Sequence, residues 1–282
     1  MKKQLVIALV FCSGASLALA QNVLDGVYVK EHVPTRKVIP YCHLREADVM
    51  WSSRIWRVID LNEKLNLPFK FPASKTIKDR RNLMDVIHDA ALEGTLTAYK
   101  SEQHAGDDEF TFPLTQAEVA AIGARTDTLD VQDPTTLEWS KKVVTEALKR
   151  DNVYQFKLKE DWFFDKQRSV MDVRIIGIAP VIKKFSEETG EFVGPDALYW
   201  VYFPEARKIF VNAEVFNRFN DAERRTFDDI FFKRMFSSYI VKQSNVYDRT
   251  IASYKTNPLD ALLEAQRIKD DIVTLEHDVW EF

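Results

Sequence analysis

Tyr154-Gln155-Phe156-Lys157-Leu158-Lys159-Glu160-Asp161-Trp162-Phe163-Phe164 sets large apolar side chains on alternate positions, at Tyr154, Phe156, Leu158, Trp162 and Phe164. A period of two is that of a strand with one face against a core. A polar turn from Asp165 to Arg168 follows, and Val173 and Ile175 then resume the alternation, so the stretch reads as a hairpin. Further on, Leu198 to Phe203 and Lys208 to Val211 read as a second strand pair about Pro204-Glu205-Ala206-Arg207, with a loop from Phe185 to Pro195 before them. Consecutive hairpins favour an antiparallel sheet.

On either side of these strands the period is helical. Beyond them, helices are expected from about Thr226 to Lys242 and from Pro258 to near Trp280. In the last, Ala261, Ala265, Ile268, Ile272, Leu275 and Val279 form a seam that suits either another helix or the face of the sheet. Before the strands, Asp133-Pro134 opens an expected helix reaching about Lys149, and Thr115 to Glu118 fits a capping box whose helix reaches Gly123. Leu83, Val86, Ile87, Ala90 and Ala91 recur at helical spacing, with Gly94 placed to end the helix. Leu67-Pro68-Phe69-Lys70-Phe71-Pro72 reads as an extended link, and Arg125 to Gln132 as a linker between halves.

Leu44 to Asn62 also reads as a helix, with Leu44, Ala47, Trp51, Ile55 and Val58 on one stripe. Val49 and Trp56 fall together on nearly the opposite side. A helix with two apolar stripes needs two packing surfaces. Another part of this chain or a partner protein must therefore cover Trp56. The expected class is α+β, with a helical N-terminal half and an antiparallel sheet with packed helices in the C-terminal half. The expected divisions are a signal peptide over 1–20, an extended arm over 21–43, a mainly helical region over 44–130 and an α+β region over 131–282.

Residues 1 to 20 combine Met1-Lys2-Lys3 with an apolar run closing on Ala18-Leu19-Ala20, the pattern of a secretory signal cleaved between Ala20 and Gln21. Cleavage would remove two lysines and Cys12, leaving Cys42 as the only thiol and no internal disulfide. The whole chain already carries 43 acidic against 39 basic side chains, so nothing attracts nucleic acid. No later stretch is long and apolar enough to span a membrane.

Chemistry is scarce. His32, His43, His88, His104 and His277 are dispersed, and no phosphate-binding loop or nucleophile elbow occurs. Cys42-His43 lacks a third partner for nucleophilic catalysis. Gly106-Asp107-Asp108-Glu109-Phe110 reads as a solvated turn, and His104 with Asp107, Asp108 and Glu109 as an acidic loop rather than a cation site. Glu160 and Asp161 are adjacent carboxylates, but neighbours in a strand face opposite ways and cannot converge on one glycosidic bond. No catalytic residue, metal site or cofactor is expected. Abundant tryptophan and arginine point instead to contact surfaces. Val49, Trp56 and Trp280 are the candidate partner contacts.

Longer blocks carry a resemblance. Arg45-Glu46-Ala47-Asp48-Val49-Met50-Trp51-Ser52-Ser53-Arg54-Ile55-Trp56-Arg57-Val58-Ile59-Asp60 resembles the signature of the GldN/PorN family. So do Glu160 to Ser169, Arg174 to Pro180, Phe227 to Ile240 and Glu276 to Trp280. The likeness runs from about Gly26 to the C-terminus and is loose over 95–150. It implies a non-enzymatic, periplasmic component of the type IX secretion and gliding machinery. Such a component would form an outer-membrane-associated ring with a GldK/PorK-like lipoprotein and contact a GldM/PorM-like inner-membrane motor protein. The rival readings are a periplasmic glycan hydrolase, which turnover dependent on Glu160 or Asp161 would favour, and a monomeric ligand-binding module.

Overall fold

Val153 to Asp165 and Val170 to Phe185 do pair as an antiparallel hairpin, and the rest of the molecule is built on it. A computed structural model describes residues 33–73, 77, 80–101, 109–132, 139–146, 148–186, 190–217, 220 and 222–280, with backbone alone for 125–132, 139–146 and Trp280. The chain divides into Met1–His32 and Val33–Phe282, and everything described lies in the second unit. In chain order the elements are β1 (Val49–Asp60), α1 (Leu67–Lys70), α2 (Leu83–Glu93), β2 (Ala98–Lys100), α3 (Gln116–Ala121), β3 (Arg125–Gln132), β4 (Trp139–Glu146) and β5 (Val153–Asp165). Then come β6 (Val170–Phe185), β7 (Phe192–Ala197), β8 (Tyr199–Tyr202), α4 (Phe203–Phe210), α5 (Phe227–Phe232), β9 (Tyr239–Gln243), α6 (Ile251–Tyr254) and α7 (Pro258–Trp280). One seven-stranded sheet has the order β2-β8-β6-β5-β1-β9, with β7 also on β6, while β3 and β4 form a separate hairpin. Every pairing is antiparallel.

The expected helical N-terminal half is therefore wrong: β1, β2 and most of β3 fall there, and the longest described helix, α7, is C-terminal. The largest correction is at 44–62, where the chain is strand β1. β1 lies between β5 and β9 with buried residues on both its faces, Ile55, Arg57 and Ile59 on one and Val58 on the other. Apolar residues on both faces erase the period of two. A register break between Val49 and Trp51 leaves Met50 as an extra residue and disturbs the alternation again.

Other corrections have local causes. The helix expected over 134–149 gives way to β4, and the linker over 125–132 to β3. Lys208 to Val211 is mostly helix α4, because Pro204 sits in its first turn, where the missing N–H has no bond to lose. Pro68 does the same for the short α1. The helix expected from Thr226 starts at a capping box of Thr226 and Asp229 but stops at Phe232, just before left-handed Arg234 (φ 52°), and the chain turns into β9. The expected loop from Phe185 to Pro195 is shorter than read, since Phe185 ends β6 and Phe192 to Pro195 begin β7, while Ser186, Gly190 and Glu191 lie outside the strands.

Gly94 and the Thr115–Glu118 box cap as read, and Asn82 is a further cap that the structure adds. The Asn82 side chain accepts from Asp85 N–H at the start of α2, Gly94 ends that helix at φ 75°, and Thr115 and Glu118 cap α3 reciprocally. The seam of α7 packs on the sheet. Ala265, Ile268 and Ile272 bury against Ile55, Ile240 and Ile251, with Trp51, Trp162 and Met171 alongside. A larger core covers the same face of β1 further along, where Ile59, Phe156 and Leu158 meet Leu83, Ile87, Phe203, Phe210, Phe227 and Phe231. Burial of each such ring contributes about 1.5–3 kcal/mol.

Candidate functional site

The opposite face of β1 and β5 carries a groove of about 500 Å³ lined by Leu44, Val49, Ser52, Ser53, Arg54, Trp56, Asp161, Phe163 and Ser244. Val49 and Trp56 are an odd number of residues apart, so a regular strand would place them on opposite faces. The extra residue at Met50 inverts the alternation and brings both to the groove, which is the coincidence a helical reading of the same stretch produces. Arg54 Nε and Nη2 donate to the two oxygens of Asp161 at 2.7 and 3.1 Å across the strand pair. Lys242 Nζ lies 4.2 Å from the Trp56 ring centroid and 2.6 Å from Asp248, and Lys159 Nζ approaches the same ring at 5.9 Å. Two ammonium groups thus approach the indole, and that of Lys159 is buried.

Leu44, at the mouth of the groove, ends a segment strapped to the body by three arginines. Arg36 pairs with Asp229 at 2.7 and 2.9 Å, Arg207 donates to the Ile39 carbonyl at 3.0 Å, and Arg174 donates to the Cys42 carbonyl at 2.6 Å. The Tyr41 ring stands 4.3 Å from the Arg207 guanidinium and 5.3 Å from that of Arg174. Burial pushes the Tyr41 phenol up, while the charge of Arg207 pulls it back. Burial alone would raise Asp229, but hydrogen bonds from Arg36 and Thr226 hold it below the ordinary carboxylate range.

Glu160 lies on the other face of the sheet, between the two cores. Its Oε2 accepts from Trp162 Nε1 at 3.0 Å and from Arg234 Nη2 at 3.1 Å. Its Oε1 is 3.0 Å from Arg234 Nη1 but outside hydrogen-bonding alignment, so charge alone holds it. Arg57, nearby, donates to the Ser238 hydroxyl and carbonyl. Burial lowers its affinity for its proton, opposed by Glu160 and reinforced by Arg234. Glu160 and Asp161 thus point to opposite faces, each held by an arginine, and do not converge on a bond.

Of the residues expected to make partner contacts, Val49 and Trp56 share the groove. Trp280 ends α7, with its side chain outside the described residues, as are Ala20, Gln21, His32, His104, Asp107 and Asp108. Cys42 and His43 are both exposed. Among the described residues no three His, Cys, Asp or Glu side chains are grouped to hold a metal ion, and no helix is long and apolar enough to cross a membrane. Arg54, Asp161, Phe163 and Lys242 belong to the groove and were not legible beforehand, because only the β1–β5 and β1–β9 pairings bring them together.

No curated protein matches the chain. A family model described as gliding motility associated protein GldN matches residues 44–281, which include β1 and every strand and helix described after it. The chain belongs to the GldN family of gliding motility associated proteins.

Proposed function

We propose that this protein is a non-enzymatic periplasmic scaffold of the type IX secretion and gliding machinery. In this reading it assembles with a GldK/PorK-like outer-membrane lipoprotein into a ring and also contacts a GldM/PorM-like motor protein. The family match over 44–281 carries the reading. Two features of the site support it. The groove joins an indole and a guanidinium, side chains that anchor protein interfaces. The neighbouring carboxylates Glu160 and Asp161 are consumed by arginines on opposite faces, which leaves the hydrolase reading without a catalytic pair.

The test is to co-express the full chain with its cognate outer-membrane lipoprotein and purify through a tag on either. The reading predicts recovery of both in one multi-copy complex from the periplasmic fraction. Recovery of this chain alone, or in the cytoplasm, contradicts it.

A further inference from the structure

Arg174 on β6 is half-buried and has no carboxylate of its own. Asp161, its partner across the β5–β6 pairing, is engaged by Arg54, and no acidic side chain among the described residues forms an ion pair with Arg174. Its Nε is buried without a hydrogen bond. What the guanidinium does touch is specific. Nη2 donates to the Cys42 carbonyl at 2.6 Å, and Cζ lies 5.3 Å from the ring centroid of Tyr41 and 5.3 Å from that of Phe163. Phe163 pairs with Asp172, two residues before Arg174, and is therefore its diagonal neighbour on the same face of the sheet.

Each of these contacts leads to a wall of the groove. Phe163 lines it directly, and Cys42 stands two residues before Leu44, which lines it from the strap. Between Lys37 and Leu44 the strap belongs to no strand or helix. Among the described residues its hydrogen bonds to the body there come from side chains alone, Arg207 to the Ile39 carbonyl and Arg174 to the Cys42 carbonyl. The two arginines are not equivalent. Arg207 is buried and its charge is met by Asp228, so it belongs to the body whether or not the strap is seated. The polar and ring contacts of Arg174 go only to the strap and to Phe163. Contacts of this kind are far weaker than a core, so the strap can open locally while the sheet stays folded.

We propose that Arg174 is a positioning residue that makes the strap a movable wall of the groove. While its guanidinium bridges Tyr41 and Phe163, Leu44 is held in the lining; when the bridge lets go, the groove loses that wall. This rests on the assembly reading above and adds the residue through which the strap controls the contact surface.

To test it, the full chain is compared with Arg174→Gln, Arg174→Lys, Leu44→Ala and the double variant of Arg174→Gln with Leu44→Ala. Trypsin cleavage after Lys37, an exposed residue of the strap, reads strap opening, urea titration reads the body, and Kd against the lipoprotein reads the groove. Arg174→Gln should raise cleavage at least tenfold and weaken binding about tenfold, with little change in the urea midpoint. Arg174→Lys keeps the charge but not the planar fork and should restore neither. With Leu44→Ala already present, Arg174→Gln should weaken binding less than twofold further, because the wall it positions is gone. Three results overturn the inference and leave the assembly reading standing: unchanged cleavage in Arg174→Gln, losses of affinity that multiply in the double variant, or a urea midpoint that falls with them as for a general stabilising residue. A wild-type chain that does not bind the lipoprotein overturns both.

Discussion

Lys242 on β9 places its ammonium 4.2 Å from the centroid of the Trp56 ring on β1, so the edge strand and its neighbour jointly shape the groove. Trp56 is only half-buried. Trp56→Ala should therefore leave a folded subunit, with a loss of about 1 kcal/mol from the cation–π contact in chemical denaturation. Binding should suffer more, by about 2 kcal/mol or roughly 30-fold in Kd measured against the lipoprotein. An unfolded variant would instead assign Trp56 to the core.

The strap residues are predicted to be unequal. Arg207 is buried, holds Asp228 at 2.7 and 3.2 Å and supports Ile39 and Tyr41. Arg207→Met strands a buried carboxylate and should cost about 3–5 kcal/mol by urea titration. Arg36→Ala breaks a partly solvated pair and should cost about 1 kcal/mol or less. Equal losses would contradict this description of the strap.

Glu160→Gln tests the scaffold reading against the hydrolase reading. Removing the charge leaves Arg234 and Arg57 without their shared counter-ion between the two cores. The expected result is a stability loss of about 3 kcal/mol. Any periplasmic glycan turned over by the wild-type chain and spared by the variant would contradict the account.

His88 gives a pH signature. It is buried on α2 with Nδ1 3.2 Å from the Tyr199 hydroxyl. Burial, helped by the charge of Arg150 and opposed by Asp89 and Asp85, holds its pKa below the ordinary histidine value. The unfolded chain thus takes up this proton first, near pH 6.5. The stabilisation tied to neutral His88 is complete above that pH and is lost as pH falls toward the lowered folded value. Unfolding free energies measured from pH 7 to 5 should decline, and His88→Gln should flatten that decline.

How much was legible depended on how local the signal was. The β5–β6 hairpin alternates cleanly through Phe156 and Leu158, and the caps at Gly94 and Thr115 depend on residues a few positions apart. The seam of α7 held because a helix on a sheet shows one apolar stripe. β1 failed for a physical reason: a strand with apolar residues on both faces and an extra residue at Met50 mimics helical spacing. Arg54 meets Asp161 across 107 positions, which no local pattern records. The family, by contrast, was readable from its residue blocks, and the match over 44–281 agrees.

The most direct measurement is the mass of the native complex. Purified with its co-expressed lipoprotein and weighed by native mass spectrometry, the wild-type chain should appear in many copies per particle, and Trp56→Ala should shift it to small species. A chain recovered as a solitary monomer beside the lipoprotein, with Trp56→Ala behaving identically, would contradict the account.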